Sequence, residues 1–196
     1  LCRAALSAGG EDAATFREFD LNTGKFVENG FVLPRGKQDV AWMDKDTLLV
    51  SRDWGAGTMS QAGYPITVRA WKRGEPLARA KEIFRGDVKD NGYGDHAEAL
   101  VDGQGNHAVV IVRNLTTFTH EYYLLVDGAP KKLALTAKTE VEGMLDGQLI
   151  FSLDENWTPG AAAKAFPQGT VVAVPLKAAL HDPMRLVPTV VFTPTA

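Results

Sequence analysis

The sequence predicts an all-β chain: a partial β-propeller of about three and a half four-stranded antiparallel blades, cut from a larger ring. Three observations predict it. Short runs rich in branched and aromatic residues recur along the 196 residues, bounded by Gly, Asp, Asn or Pro. A strand, a polar turn and a second strand return at a nearly constant interval. Finally, "DTLLVSRDW" (46–54) and "GQLIFSLDENW" (147–157) repeat one phrase two intervals apart.

The elements follow in order. "LCRAALSA" (1–8) reads as the second strand of a first unit that lacks its first strand. "FREFDLNTGKFV" (16–27) supplies the next pair around Asn22-Thr23-Gly24, so residues 1–35 form an incomplete blade. "VAWMDKDTLLVSRD" and "VRAWKRGEPLARAKEIF" fill a blade over 36–87, the second pair turning at Arg73-Gly74. "AEALVDGQGNHAVVIVRN" and "YYLLVDGAPKKLAL" fill one over 94–136, with turns at Asp102-Gly103 and Asp127-Gly128. "VEGMLDGQLIFSLDEN" and "VVAVPLKAALHDPMRLV" fill one over 138–193, turning first at Asp146-Gly147.

Phe19, Trp71, Leu124 and Ala173 mark equivalent points at spacings of 52, 53 and 49 residues, and each period holds four strands. Twisted sheets of that size, packed face to face, are what propeller blades require. Only "AAAKAF" (161–166) and "PLKAAL" (175–180) read as helical, each too short to stand alone. The short first unit and the absence of a leftover strand at the C-terminus make the chain an arc. With no initiator Met, both ends read as cuts from something longer.

Composition bounds the partners. Hydrophobic residues at 45% and charged residues at 23% suit a soluble globular domain. A net charge of −3 gives no basic field for nucleic acid or an anionic membrane. The densest basic group, Arg69, Lys72 and Arg73, reads as a solvated strand surface. No apolar run approaches membrane-span length. The single Cys2 excludes an internal disulfide framework and a cysteine-only metal site. It leaves cytoplasmic and periplasmic locations equally open.

"REFDLNTGKFV" (17–27), "AWMDKDTLLV" (41–50), "GYPITVRAWKRG" (63–74) and "DENWTPGAAAKAFPQGTVVAV" (154–174), in that order, resemble the propeller domain of the prolyl oligopeptidase family of serine peptidases. The likeness covers essentially the whole chain. It implies a seven-bladed ring capping a separate α/β-hydrolase domain, with the active site between them and the propeller restricting access to small peptides. At roughly 350 residues for seven blades, the chain would be about half of that ring, and the hydrolase domain lies outside it. The implied partners are that domain of the same parent chain and the parent's peptide substrate.

A nucleophile elbow, G-x-S-x-G, is needed for such chemistry because a sharp strand-to-helix turn exposes the serine. Ser7, Ser51, Ser60 and Ser152 all lack it. Asp95, His96 and Glu98 in "GYGDHAEA" lie close together, but on a strand only His96 and Glu98 share a face. No second His lies within ligand spacing, and a loop of solvated polar groups is the plainer reading. His107, His120 and His181 stand apart and read as surface or turn residues. No residue is therefore assigned to catalysis, to a cofactor or to a metal, and no cofactor is expected.

Trp42, Trp54, Trp71, Trp157, Tyr122 and Tyr123 are expected to pack between sheets rather than to form a binding platform. The stretches 52–65 and 154–169 are longer than a hairpin needs and occupy the same place two blades apart, which marks them as functional loops on one rim. The reading is a non-catalytic propeller portion that gates a peptidase. Its alternative is a free-standing propeller or sandwich binding module for a peptide, sugar or protein. Open terminal blades should also drive self-association.

Overall fold

Cys2–Leu6 (β1) pairs antiparallel with Ala14–Asp20 (β2), whose other edge carries both Lys25–Phe26 (β3) and Val32–Gly36 (β4). These four strands thus make three rows, the outer one broken where Glu18 N–H donates to Phe31 O at 2.9 Å and Val27 N–H to Glu18 O at 3.0 Å. The computed structural model describes residues 1–160 and 164–195. A second sheet runs in sequence order through Gln38–Asp44 (β5), Thr47–Arg52 (β6), Thr67–Lys72 (β7) and Lys81–Arg85 (β8), with a 3-10 turn at Leu77–Arg79 before its last strand.

A third sheet comprises His96–Val101 (β9), His107–Thr116 (β10), Thr119–Val126 (β11) and Ala129–Lys132 (β12). A fourth holds Thr139–Leu145 (β13), Gln148–Leu153 (β14), Val171–Pro175 (β15) and Thr189–Phe192 (β16), with the helix Leu176–His181 (α1) between its last two strands. The strand pairings within these sheets are antiparallel. Asp127-Gly128 and Asp146-Gly147 close tight hairpins with φ of 50° and 77°, and 50° and 70°. Positive φ at both central residues is the geometry that matches strand twist, and an Asp-Gly pair adopts it at little cost.

The chain divides into two compact units, Leu1–Lys89 with Gly94–Ala97 and Asp90–Tyr93 with Glu98–Ala196. In the first, Leu33, Phe31, Val40, Leu48, Val50 and Trp71 form one core between the first two sheets. In the second, Val110, Leu124, Leu149, Phe151, Leu153 and Val174 are completely excluded from solvent or nearly so. Each such aliphatic side chain contributes roughly 2 kcal/mol on burial. β6 and the first half of β10 are buried without alternation because both of their faces are covered.

The all-β class and the four-stranded antiparallel repeat stand as the sequence predicts. Several local expectations change. The stretch "MRLV" that closes the last repeat unit is not a strand: β16 begins only at Thr189, after Pro188, and Leu186 is buried in the second unit's core. "PLKAAL" is helical as α1, held by burial of Leu176 and Ala179 rather than by its own length. Within "AAAKAF", residues 161–163 lie outside the described residues, and Phe166 is not helical: it forms an isolated antiparallel bridge with Trp157. The basic group of β7 and the turn after it is not a solvated surface. Only Lys72 is exposed, while Arg69 and Arg73 are tucked against carboxylates and rings.

Candidate functional site

The two long loops join the second and third strands of their sheets, and both fold back on themselves. In residues 52–65, Thr58 organises the first turn. Its hydroxyl accepts from Trp54 N–H at 2.9 Å and donates to Gly55 O at 2.7 Å. Met59 and Pro65 then bridge, and Ser60 N–H donates to Tyr64 O at 2.8 Å. Gln61 N–H reaches Val88 O at 2.8 Å, and Arg85 Nη1 donates to Gly57 O, so the loop is tied to β8 and the link beyond it. Thr58 and Ser60 are buried, as polar groups are when fully partnered.

The 154–169 loop is built the same way. Trp157 and Phe166 exchange backbone hydrogen bonds at 2.9 and 2.8 Å, and their rings lie tilted against each other with centroids 5.9 Å apart. Asp154 N–H donates to Lys138 O at 2.7 Å and Gln168 N–H to Asn156 Oδ1 at 2.9 Å. Trp157 is 3% exposed within the second unit's core, so this loop's aromatic is a packing anchor.

Trp54 differs. It is half-buried, and two guanidinium groups lie near its ring, Arg69 with its Cζ 4.7 Å from the centroid and Arg52 at 5.9 Å. Burial holds the Arg52 guanidinium below its ordinary pKa, opposed by Asp53. Arg52 appears in the sequence only as a loop boundary, and Arg69 only as a surface charge. What brings them together is register. Arg69 pairs with Val50, two residues before Arg52 on the neighbouring strand, so both side chains leave the same face.

The serines carry no nucleophile geometry. Ser51 Oγ donates to Asp95 O, Ser7 Oγ to Glu11 O at 2.8 Å and Ser152 Oγ to Glu142 Oε1 at 2.6 Å, while Ser60 Oγ accepts from Tyr64 N–H at 3.3 Å. Asp95 is 1% exposed, not a solvated loop residue, and its backbone N–H donates to Pro65 O at 2.7 Å. Among the described residues no group of three or more His, Cys, Asp or Glu side chains is placed to hold a metal ion. No helix there is long and apolar enough to cross a membrane.

His120 is not a free surface residue: Nδ1 lies 2.6 Å from Asn114 Oδ1 and Nε2 3.2 Å from Glu140 Oε1. It lines a cavity of about 110 Å³ with Leu115, Lys132, Leu133 and Leu135. Tyr122 is buried, as expected for packing, and its hydroxyl donates to Thr139 O at 2.7 Å. Tyr123 instead donates to Glu121 at 2.7 Å, inside an ion network. There Arg113 contacts Asp90 at 2.8 Å and Glu121 at 3.2 Å, and Glu121 meets Lys132 at 2.5 Å. Arg113 is held above its ordinary pKa, chiefly by Asp90.

Comparison with known proteins agrees with this architecture. An uncharacterized peptidase of Sinorhizobium fredii is 40% identical over 199 residues, covering 99% of this chain and 27% of its own length. An uncharacterized peptidase of Rickettsia prowazekii is 34% identical over 167 residues, covering 78% of this chain and 23% of its own. The chain therefore spans about a quarter of the length of these curated relatives. The solved structure of a post-proline cleaving enzyme from Rickettsia typhi superposes with a TM-score of 0.83 at 24% identity, over 99% of this chain and 30% of that one. At that identity the likeness speaks for the fold, and it is a propeller's. Residues 1–190 match the family described as prolyl oligopeptidase, N-terminal beta-propeller domain, and the chain belongs to that family.

Proposed function

We propose that this chain is the non-catalytic propeller portion of a prolyl-oligopeptidase-type serine peptidase, and that it gates and shapes peptide access to an α/β-hydrolase active site carried elsewhere in the parent. One observation carries the reading. Nearly the whole chain aligns with a peptidase about four times its length, yet all four of its serines are engaged in structural hydrogen bonds. A catalytic serine has to stand exposed beside a base. The chemistry then belongs to another domain, and a four-stranded repeat with ordered loops on its second-to-third strand connections supplies walls rather than reactive groups.

The test combines an antibody to this chain with a fluorophosphonate serine-hydrolase probe on lysate of the native source. A labelled band far heavier than 21.2 kDa is the expected result. An unlabelled band near 21.2 kDa would replace this reading with a free-standing binding module. The chain alone should leave a proline-containing chromogenic peptide uncleaved, since it holds no activated nucleophile.

A further inference from the structure

Arg52, Trp54 and Arg69 share an uncommon deficit. Arg52 Nη1, Trp54 Nε1 and Arg69 Nε are each shielded from solvent, and among the described residues none has a hydrogen-bond acceptor. A buried N–H without a partner is costly, and more so when charged. Here one such group belongs to the Trp54 ring and the other two to the guanidinium groups beside it.

The nearby acids do not meet the need. Asp53 lies beside Arg52, but its Oδ1 caps the loop backbone at Gly55 N–H, 2.8 Å away. Glu82 stands 3.8 Å from Arg69 Nη2 while both of its oxygens are held by Arg85 at 2.9 and 2.6 Å. Among the described residues a buried acceptor without a partner, Gln38 Oε1, sits at the strand position paired with Arg52, and it is neutral. Two cations on one ring repel, and although Arg52 Nε reaches Asp53 O at 3.4 Å, Arg52 Nη1, Trp54 Nε1 and Arg69 Nε still lack acceptors.

We propose that Arg52, Trp54 and Arg69 form a carboxylate-binding site at the root of the 52–65 loop, taking either the C-terminal carboxylate of a peptide or an acidic side chain. A planar carboxylate matches guanidinium donors and accepts an indole N–H at its edge. Asp53 and Glu82 offset part of the double positive charge, which suits a monoanion better than a phosphate dianion. The three side chains are only partly buried. Because the three N–H groups themselves are shielded, binding requires the exposed parts of these side chains to move aside.

The assignment does not rest on the peptidase reading, and its test needs no turnover. The full chain is labelled with 5-fluorotryptophan, giving one fluorine signal from each of its 4 tryptophans, and Trp54 is identified with Trp54→Phe. Three probes are titrated at matched ionic strength: N-acetyl-Ala-Ala with a free carboxylate, the same peptide amidated, and N-acetyl-Glu-amide. A saturable shift of the Trp54 signal with the free dipeptide alone identifies the chain terminus as ligand. A shift with N-acetyl-Glu-amide identifies an acidic side chain. In either case Arg69→Gln and Arg52→Gln should each weaken the response about tenfold, the loss of one charge-assisted hydrogen bond. Unchanged Trp42, Trp71 and Trp157 signals show that the variants stay folded. The site is refuted if neither carboxylate gives a saturable shift, if the amidated peptide shifts Trp54 equally, or if folded Arg-to-Gln variants bind as tightly as the parent sequence.

Discussion

Glu18 and Arg73, 55 residues apart, meet in a two-pronged ion pair, with Arg73 Nη1 2.7 Å from Glu18 Oε2 and Nη2 2.9 Å from Oε1. The pair fastens β2 of the first sheet to the β7–β8 turn of the second. Glu18 is buried and also accepts Phe31 N–H at 3.0 Å, while Arg73 donates onward to Asp46 at 3.2 Å and to Lys45 O at 2.8 Å. Its guanidinium lies 4.6 Å from the centre of the Phe31 ring. This joint holds the first unit's core closed over Phe31 and Leu33.

Removing Arg73 strands a buried carboxylate. Arg73→Ala should destabilise the protein by about 3 kcal/mol, as breaking buried pairs does, visible as a lower urea midpoint with an unchanged slope. The pH dependence has a definite sign. Arg73, then the Phe31 N–H, hold the Glu18 pKa below its ordinary value against the opposing effect of burial. The stability this contributes is present above the ordinary glutamate range and is lost as pH falls through the folded value. Arg73→Ala should therefore flatten the acid limb of the stability curve. An acid limb identical to that of the unmodified chain would show that Glu18 is not held by Arg73.

Asp102 performs a comparable task in the second unit by a different means. One oxygen accepts Gln104 N–H at 3.0 Å and Asn106 N–H at 2.9 Å; the other accepts Asn106 Nδ2 at 2.7 Å and Gly147 N–H at 2.8 Å. The Asn106 side chain first, with those backbone donors, lowers its pKa to about 2. A lowered carboxylate pKa adds stability above about pH 4 that disappears as pH falls towards the folded value. Thermal melts should lose ground between about pH 4 and pH 2, and Asp102→Asn should remove that part of the loss. Melting curves of the two proteins that stay parallel across this range would contradict the assignment.

Two glycines give opposite expectations. A Cβ at Gly92 would lie 2.5 Å from Asn114 Cβ and 2.6 Å from its carbonyl oxygen, whereas one at Gly103 meets nothing within 4 Å. Neither has a positive φ. Gly92→Ala should cost about 2 kcal/mol through overpacking against backbone. Gly103→Ala should be neutral or mildly stabilising, because it only restricts the unfolded chain. Chemical denaturation of both separates these cases, and equal effects would sink the steric argument.

The strands were legible because their chemistry is local. "TLLVSR" and "HAVVIV" read as strands from branched residues alone, and Asp127-Gly128 and Asp146-Gly147 name their own turns. The Asp102-Gly103 turn lies where the dipeptide indicates, but its left-handed residue is Gly105, with φ of 83°. The polar network that widens this turn depends on Asn106 and Gly147, far outside a dipeptide. Glu18–Arg73 and Arg52–Trp54–Arg69 were illegible for the same reason. Which charges converge depends on cross-strand register and on which sheet faces which, and a single chain carries no local mark of either. Arg69 looked solvated because Trp54, which covers it, sits 15 residues earlier in a loop.

The outermost strand of the fourth sheet yields the last expectation. In β16, Val190, Val191 and Phe192 are 52%, 60% and 55% exposed, and among the described residues the strand pairs only with β15. An exposed apolar edge strand presents unpaired N–H and C=O groups together with hydrophobic side chains, which templates pairing with another copy. Light scattering should show the apparent mass of the chain rising above 21.2 kDa with concentration. Lysines at this edge oppose such pairing by charge and desolvation cost. Val191→Lys combined with Phe192→Lys should thus restore a monomer, while changing folding stability by no more than about 0.5 kcal/mol, as for other surface substitutions. A chain that stays monomeric at every concentration would show that β16 is not sticky. Association that survives the double lysine variant would place the contact on another surface.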